Sequence, residues 1–310
     1  MPRTLTAGVM LAFVTASVSG VSIMVNAVGV RQVPDAAVYT TAKNLVAALV
    51  LVGLLGLGGG IGRLRSLDRR SAGWLFAIAI VGGSVPFVLF FSGLAVASAP
   101  SAAFIHKTMF VWVALLAVPL LGERLGPIQL AALGVLLAGQ FLLTPPTGVR
   151  WGSGEMMIAA ATLLWSIEIV VARRLLRTVD AATVGAARMG IGVVVLLGYL
   201  LVTGRIGGLL ALGAAQWSWV VATGLLLAAY VTTWFAALQR APATIVSAVL
   251  VSGAVVTGGL TALQQGGLPG SSVSGNALIL LAALAIGARA VVQARSRSLV
   301  PEPADARAGA

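Results

Sequence analysis

Ten stretches of nearly continuous apolar residues, each close to membrane length, follow one another along this chain with only short polar punctuation between them. They run approximately Leu5 to Val28, Ala36 to Leu57, Ala72 to Ala95, Ser101 to Leu121, Pro127 to Thr144, Gly154 to Ala172, Ala181 to Val202, Trp217 to Leu238, Ala243 to Leu263 and Ser272 to Val292. A bilayer core is crossed by about 20 apolar residues in a helix, and in lipid only a helix or a closed barrel satisfies its own backbone polar groups. The fifth and sixth stretches are short by that measure. With 59% hydrophobic residues, 9% charged residues and a mean hydropathy of +1.04, the composition excludes a water-soluble core. The first stretch has the basic start and small-residue run of a signal peptide, but it continues without a polar break and is read as a crossing.

The second half repeats the first. Asp35-Ala36-Ala37, with Lys43 eight residues past the Asp, recurs 145 residues later as Asp180-Ala181-Ala182 with Arg188, and Trp74 and Phe90 correspond to Trp219 and Phe235. Five crossings per half is an odd number, so the second copy must enter the membrane in the opposite sense. The fold class expected is all-α integral membrane, with ten transmembrane helices as two inverted five-helix repeats. Residues 1–144 form the first repeat, 145–153 an outside connector around the breaker cluster Pro145-Pro146-Thr147-Gly148, 154–293 the second repeat and 294–310 a disordered cytoplasmic tail. Pro86, inside the third stretch after Gly82-Gly83-Ser84, is expected to kink or unwind its helix.

The net charge of +12 does not point to nucleic acid, because of where the cations fall. With the N-terminus inside, fourteen arginines lie in inner segments and three, Arg31, Arg150 and Arg205, in outer ones. That asymmetry predicts a multi-pass protein of the cell (plasma) membrane with both termini cytoplasmic. Its partners are then a small-molecule substrate and membrane lipid; oligomeric state is not encoded. There is no cysteine, so disulfide and thiolate chemistry are excluded. The glycine run from Gly56 to Gly62 lacks the strand before it and the Lys-Ser/Thr after it that a phosphate loop needs, and reads as a connector.

Eighteen of the twenty basic residues are Arg, and both lysines, Lys43 and Lys107, lie within apolar helices. A charge at a helix centre costs about 2.5 to 3.5 kcal/mol on insertion scales, so retained ones face a cavity or a partner. Lys43 and Lys107 therefore form either an outward-leaning cationic pocket for an anionic group, or two side chains that snorkel to the outer interface. His106, next to Lys107, is either a proton site or a histidine bonded to a neighbouring helix. Arg188 and Glu168 fall at comparable depth in the inner half, as a structural lock or gate; Glu168 has Arg173 and Arg174 as alternative partners. Asn26, with Ser19 and Ser22, marks one face of the first helix, and Tyr39 with Lys43 marks the second. Trp165 shares a face with Glu168, and Tyr230 shares one with Trp234; these aromatics either line a cavity or pack.

The segment from Leu94 through Ala95-Val96-Ala97-Ser98-Ala99-Pro100 to Leu121-Gly122-Glu123-Arg124-Leu125 resembles the signature of the EamA family in the drug/metabolite transporter superfamily. The sequence departs from that family at Phe110, where a proline is common, and at Gln264-Gln265-Gly266-Gly267, where an acidic turn is expected. A carboxylate near a helix C-terminus opposes the macrodipole, so Glu123 is expected to pair with a cytoplasmic arginine in a structural or gating role. The resemblance implies a secondary transporter, and more specifically an exporter, of small metabolites such as amino acids or other organic anions, working by alternating access; a lipid or lipid-linked carrier flippase is the alternative. No enzyme activity, metal or cofactor is expected, and coupling is either to protons, through His106 or Glu168, or absent.

Overall fold

The computed structural model describes residues 2–94, 96–97, 99–144, 151–265, 267 and 270–299. The breaker cluster Pro145 to Gly148 and the last part of the expected tail, 300–310, lie outside the described residues. The first repeat consists of α1 (Pro2–Gly29), α2 (Ala36–Leu57), α3 (Ile61–Arg65), α4 (Arg69–Val81), α5 (Val85–Leu94), α6 (Ala99–Lys107), α7 (Met109–Leu121) and α8 (Pro127–Leu143). The second consists of α9 (Ser153–Leu175), α10 (Ala181–Val202), α11 (Ile206–Leu210), α12 (Ala214–Arg240), α13 (Ala243–Leu250), α14 (Gly253–Gln265) and α15 (Gly270–Leu299). No strand occurs among the described residues.

Nine helical segments among the described residues are long and apolar enough to cross a bilayer, with α4–α5, α6–α7 and α13–α14 each counting as one interrupted segment. The remaining apolar helix, α8, is shorter at 17 residues. The sixth stretch, short on sequence, is the 23-residue α9, because Ser153 and the Arg173–Leu175 turn continue the helix past its apolar run. At the other end α15 continues to Leu299, where composition suggested a disordered tail from residue 294.

The duplication carries through to packing. Helices α2 and α10 are 145 residues apart at both ends, as are the short α3 and α11. Asp35 caps α2 by accepting from the N–H groups of Ala37 and Val38, and Asp180 caps α10 by accepting from Thr183 N–H and Oγ1. Each cap then reaches the opposite repeat: Asp35 lies 3.6 Å from Arg205, just past α10, and Asp180 lies 3.7 Å from Arg63, just past α2. The start of each helix thus sits beside the end of the other, so α2 and α10 pack antiparallel. Contacts are reciprocal elsewhere too: α1 packs on α12 and on α13–α14, and its counterpart α9 packs on α5 and on α6–α7. Pairs α8–α15 and α7–α13 close the bundle.

Small residues allow these crossings. A Cβ on Gly192 of α10 would lie 2.7 Å from the carbonyl oxygen of Gly83, and one on Gly139 of α8 would lie 3.0 Å from that of Gly275 in α15. Without a hydrophobic drive between helices in lipid, such close backbone approach is what holds a bundle together. Two faces result. The connector face carries the end of α8 and the start of α9, which the 145–150 segment joins; the opposite face carries Arg63, Arg69, Arg70, Arg124, Arg173, Arg174, Arg177 and Arg240, and is called the arginine face below.

Candidate functional site

Helix interruptions create the site, and local chemistry explains each one. Between α4 and α5 the chain turns through Gly82-Gly83-Ser84, and Pro86 is the second residue of α5. Of the two outcomes expected of Pro86, local unwinding is the one present: the helix opens over Gly82–Ser84, just before the proline, and is not kinked around it. At the start of a helix the missing N–H of proline costs nothing, but in a continuous helix that N–H would have bonded the Gly82 carbonyl. Pro86 thus leaves the Gly82 oxygen free, and it accepts from Arg188 Nη2 at 2.9 Å and from Trp165 Nε1 at 3.0 Å. Ser84 Oγ turns back onto the Ala79 and Ile80 carbonyls at 3.2 Å each, satisfying the other loosened groups.

Beside this break sits a buried ion pair. Arg188 Nε donates to Glu168 Oε1 at 2.6 Å and Nη2 donates to Oε2 at 3.3 Å, with Nη1 against Met189 Sδ at 3.2 Å. Glu168 is 3% exposed and Arg188 9%. Of the three partners the sequence allowed for Glu168, the structure pairs it with Arg188; Arg173 instead donates to the Leu238 and Gln239 carbonyls at the end of α12, at 2.7 and 3.0 Å.

The other two interruptions are symmetry mates. At Thr108, between α6 and α7, and at Val251-Ser252, between α13 and α14, a hydroxyl turns back on the carbonyl three residues earlier: Thr108 Oγ1 on Ile105 and Ser252 Oγ on Val249, each at 2.7 Å. Interrupted helices at corresponding positions of two halves are the strongest fold-level pointer to a solute site. Here both face one cavity of about 570 Å³. Its wall includes His106, Lys107, Phe110, Trp234, Ser247 and Val251, and extends along α8, α14 and α15 to Thr144, Thr261 and Ser272 at the connector face. Lys107 is the only formally charged side chain on that wall among the described residues, and it makes no hydrogen bond or ion pair among them.

The wall also holds two residues that sequence reading passed over. Gln140 of α8, 2% exposed, leaves both Nε2 and Oε1 without a partner, and Asn276 of α15, 7% exposed, leaves Oδ1 without one. Each directly follows a glycine of the α8–α15 crossing, Gly139 or Gly275. The available signal was a lone amide within an apolar run beside a glycine, which no charge or period marks out.

His106 also reaches the cavity, with Nδ1 buried and unpartnered. Its ring lies 5.1 Å from Phe90 and 5.1 Å from Trp165, so Trp165 links the cavity to the Gly82 carbonyl. Tyr230 and Trp234, one turn apart on α12, stack at 5.9 Å with 11° between their planes, and Trp234 meets the cavity.

Lys43 lies elsewhere. Its Nζ donates to Asn26 Oδ1 at 3.1 Å and sits 5.6 Å over the Tyr39 ring; the Tyr39 hydroxyl contacts Asn26 Oδ1 at 3.1 Å and Thr223 Oγ1 at 3.0 Å. The three candidates Asn26, Tyr39 and Lys43 thus form one cluster between α1, α2 and α12, and the two lysines share no pocket, because the α2 face bearing Lys43 is turned toward α12 and not toward α6. A second cavity of about 530 Å³ opens on the connector face where α5, bent away after the Gly82–Ser84 turn, leaves space against α2 and α10; Thr40, Phe91 and the Asp35–Arg205 pair line it.

At the arginine face the main cavity is shut. The Glu123 carboxylate, at the end of α7, accepts from the Ala243 and Thr244 N–H groups that open α13, at 2.6 and 2.9 Å, and from Thr244 Oγ1 at 2.7 Å. Its hydrogen bonds thus go to a helix N-terminus, while the arginine expected is present as the nearby Arg173 charge without direct contact: the chain leaves α7 through Gly122 at φ 68°, which aims Glu123 away from its own helix end and at the positive end of another.

A duplicated helical bundle with a cavity reaching one face, shut at the other, is the architecture of a polytopic membrane protein that handles solutes. The EamA-like transporter family model matches residues 6–144 and 152–293, one copy on each repeat, and the chain belongs to that family. A solved crystal structure described only as "Crystal structure of protein" has the same fold, with a TM-score of 0.71 at 20% identity over 90% of this chain and 97% of that one. Comparison with curated proteins gave no match.

Proposed function

We propose that the chain is a secondary transporter of small organic anions and related metabolites that crosses the cell membrane ten times, with α8 as a short tenth crossing and the repeats inserted in opposite senses. Alternating access is its mechanism. The carrying observation is the single cavity at the paired breaks of α6–α7 and α13–α14, bearing one free ammonium, reaching the connector face and blocked at the arginine face by the Glu123–α13 contact. The arginines support a cytoplasmic assignment of that blocked face under the positive-inside rule, and in that orientation this conformation is outward-facing.

Inward opening requires α13 to leave Glu123 while the connector-side walls close on the solute. The three helix interruptions supply hinges, and the buried Glu168–Arg188 pair, held to Gly82, is the fixed point about which α5 moves. The absence of cysteine allows a direct test. A single cysteine at Ser247 should react with a membrane-impermeant thiol reagent from the connector face, lose that reactivity when solute traps the inward state, and then react from the arginine face. Labelling from both faces at once would indicate a channel and overturn alternating access.

A further inference from the structure

The cavity carries more information than its position. Its wall has one cation, Lys107, and no carboxylate among the described residues, so it complements a single negative charge and offers no counter-ion to a substrate ammonium. Beside His106 and several hydroxyls, the wall holds two neutral amides with unused atoms: Gln140 with both amide atoms free, and Asn276 with a free carbonyl oxygen, each more than nine-tenths buried. An unsatisfied buried polar group costs about 1 to 3 kcal/mol, and three such atoms on two facing helices mark a site built for a ligand. The glycine crossing of α8 on α15 fixes the backbone next to both side chains, so the amides are held in place before anything binds. Opposite them lie apolar surfaces of Phe110, Leu250 and Val251.

From this arrangement we infer that the site selects an organic monoanion that bears a neutral hydrogen-bonding group beside its acid, such as an N-acyl or hydroxy monocarboxylate, in preference to a free amino acid or an amine. The carboxylate takes the Lys107 ammonium. The acyl carbonyl or hydroxyl oxygen accepts from Gln140 Nε2, the amide N–H or hydroxyl hydrogen donates to Gln140 Oε1 or to Asn276 Oδ1, and an apolar side group faces Phe110 and Leu250. A free α-ammonium would lie close to Lys107 with no acid to offset it, which costs binding through both repulsion and desolvation. This assignment rests on the transporter reading and names the substrate class of the same site.

One compound body in four charge states tests it: N-acetylphenylalanine, phenylalanine, phenylalaninamide and N-acetylphenylalaninamide, each titrated against the purified full chain in detergent by thermal shift. N-acetylphenylalanine alone should give a saturable rise in Tm. Lys107→Met should weaken it by about tenfold or more, as loss of a charged hydrogen bond predicts. Gln140→Leu and Asn276→Leu should raise the Tm of the unliganded chain while weakening the same compound, an opposite pair of effects that a merely structural amide would not produce. Equal shifts with phenylalanine or phenylalaninamide, an unchanged response in Lys107→Met, or no shift with any of the four would overturn the assignment. The transporter reading is judged separately by the face-switching of Ser247→Cys, so a wrong substrate class and a wrong mechanism give different results.

Discussion

One carboxylate oxygen of Glu123 accepts from both the backbone N–H and the hydroxyl of Thr244, at 2.9 and 2.7 Å, across 121 residues of chain. The end of α7 in the first repeat is thereby fastened to the start of α13 in the second. Both of these helices border an interruption that faces the cavity, so in the alternating-access cycle proposed above breaking this contact opens the arginine face. Glu123→Ala removes a charged cap and should cost about 1 to 2 kcal/mol of stability. It should also raise the reactivity of Ser247→Cys from the arginine face without solute. Glu123→Gln keeps one acceptor and should fall between. Thermal unfolding and cysteine labelling of the same samples check both effects.

The Gly82 position should tolerate no side chain. A Cβ there would overlap the Glu168 carboxylate, forcing the Glu168–Arg188 pair apart. Breaking a buried pair by disturbing one partner costs about 3 to 5 kcal/mol, so Gly82→Ala should lower Tm sharply. Gly53 in α2 and Gly198 in α10 have open space at the same test, and replacing either with Ala should be neutral or add about 0.5 to 1 kcal/mol. Detergent melts of the three variants decide it.

Within the pair itself, Glu168→Gln leaves Arg188 buried opposite a neutral amide, and Arg188→Met leaves Glu168 buried opposite none. Each should destabilise by about 3 to 5 kcal/mol. The double variant carries no uncompensated charge and should be more stable than either single one, a coupling that only residues in direct contact show. Additive losses on melting would mean that the two side chains do not depend on each other.

Much of this architecture is legible in the sequence, for physical reasons. Membrane length marks nine of the ten expected crossings among the described residues, and duplicated Asp35 and Asp180 mark the repeats because each caps the corresponding helix. The Glu168–Arg188 pair is one of two arrangements that matched depth in lipid allows, Arg173 or Arg174 being the other partner within reach, and the structure contains the former. What could not be read were contacts that only folding brings together from segments distant in the chain. Gln140 and Asn276 look like isolated polar substitutions until the Gly139–Gly275 crossing lays them on one cavity wall. The partner of Glu123 is a helix end created by folding, and Lys43 turned toward Asn26 because α2 is wedged between α10 and α12. The two inter-repeat bridges from Arg63 and Arg205 were equally hidden, since each joins a short loop helix to a cap in the other half.

One of those caps, Asp180, gives a pH signature outside the membrane segments. Burial opposes ionisation of the Asp180 carboxyl, but bonds from Thr183 and the Arg63 charge outweigh it and hold its pKa below the usual carboxylate value. A depressed folded pKa contributes stability at neutral pH that is lost once the pH falls below about 4, toward the folded value. Asp180→Asn keeps the cap and should flatten that part of the acid response, while Asp180→Ala should cost about 1 kcal/mol at neutral pH. Tm measured from neutral pH down to about pH 3 separates the variants.

Pro86 offers the clearest separation of function from stability. Its missing N–H leaves the Gly82 carbonyl to Arg188 and Trp165, and the resulting turn lets α5 diverge from α4. Pro86→Ala restores a donor at the position that a continuous helix would use, so α4 and α5 can join through the Gly82–Ser84 turn. Fusing them straightens α5 toward α2 and α10, narrows the cavity of about 530 Å³ between these helices, and takes the Gly82 oxygen from its two present donors. Stability should fall only modestly, by about 1 to 3 kcal/mol, because the one hydrogen bond gained leaves the Arg188 and Trp165 donors without this acceptor. Transport should fall steeply, because α5 loses the hinge that lets it move independently of α4. Uptake into proteoliposomes, set beside the melting temperature of the same preparation, measures both. A variant that melts as the parent does and transports at the parent's rate would show that the interruption is a packing accommodation, with motion elsewhere in the bundle.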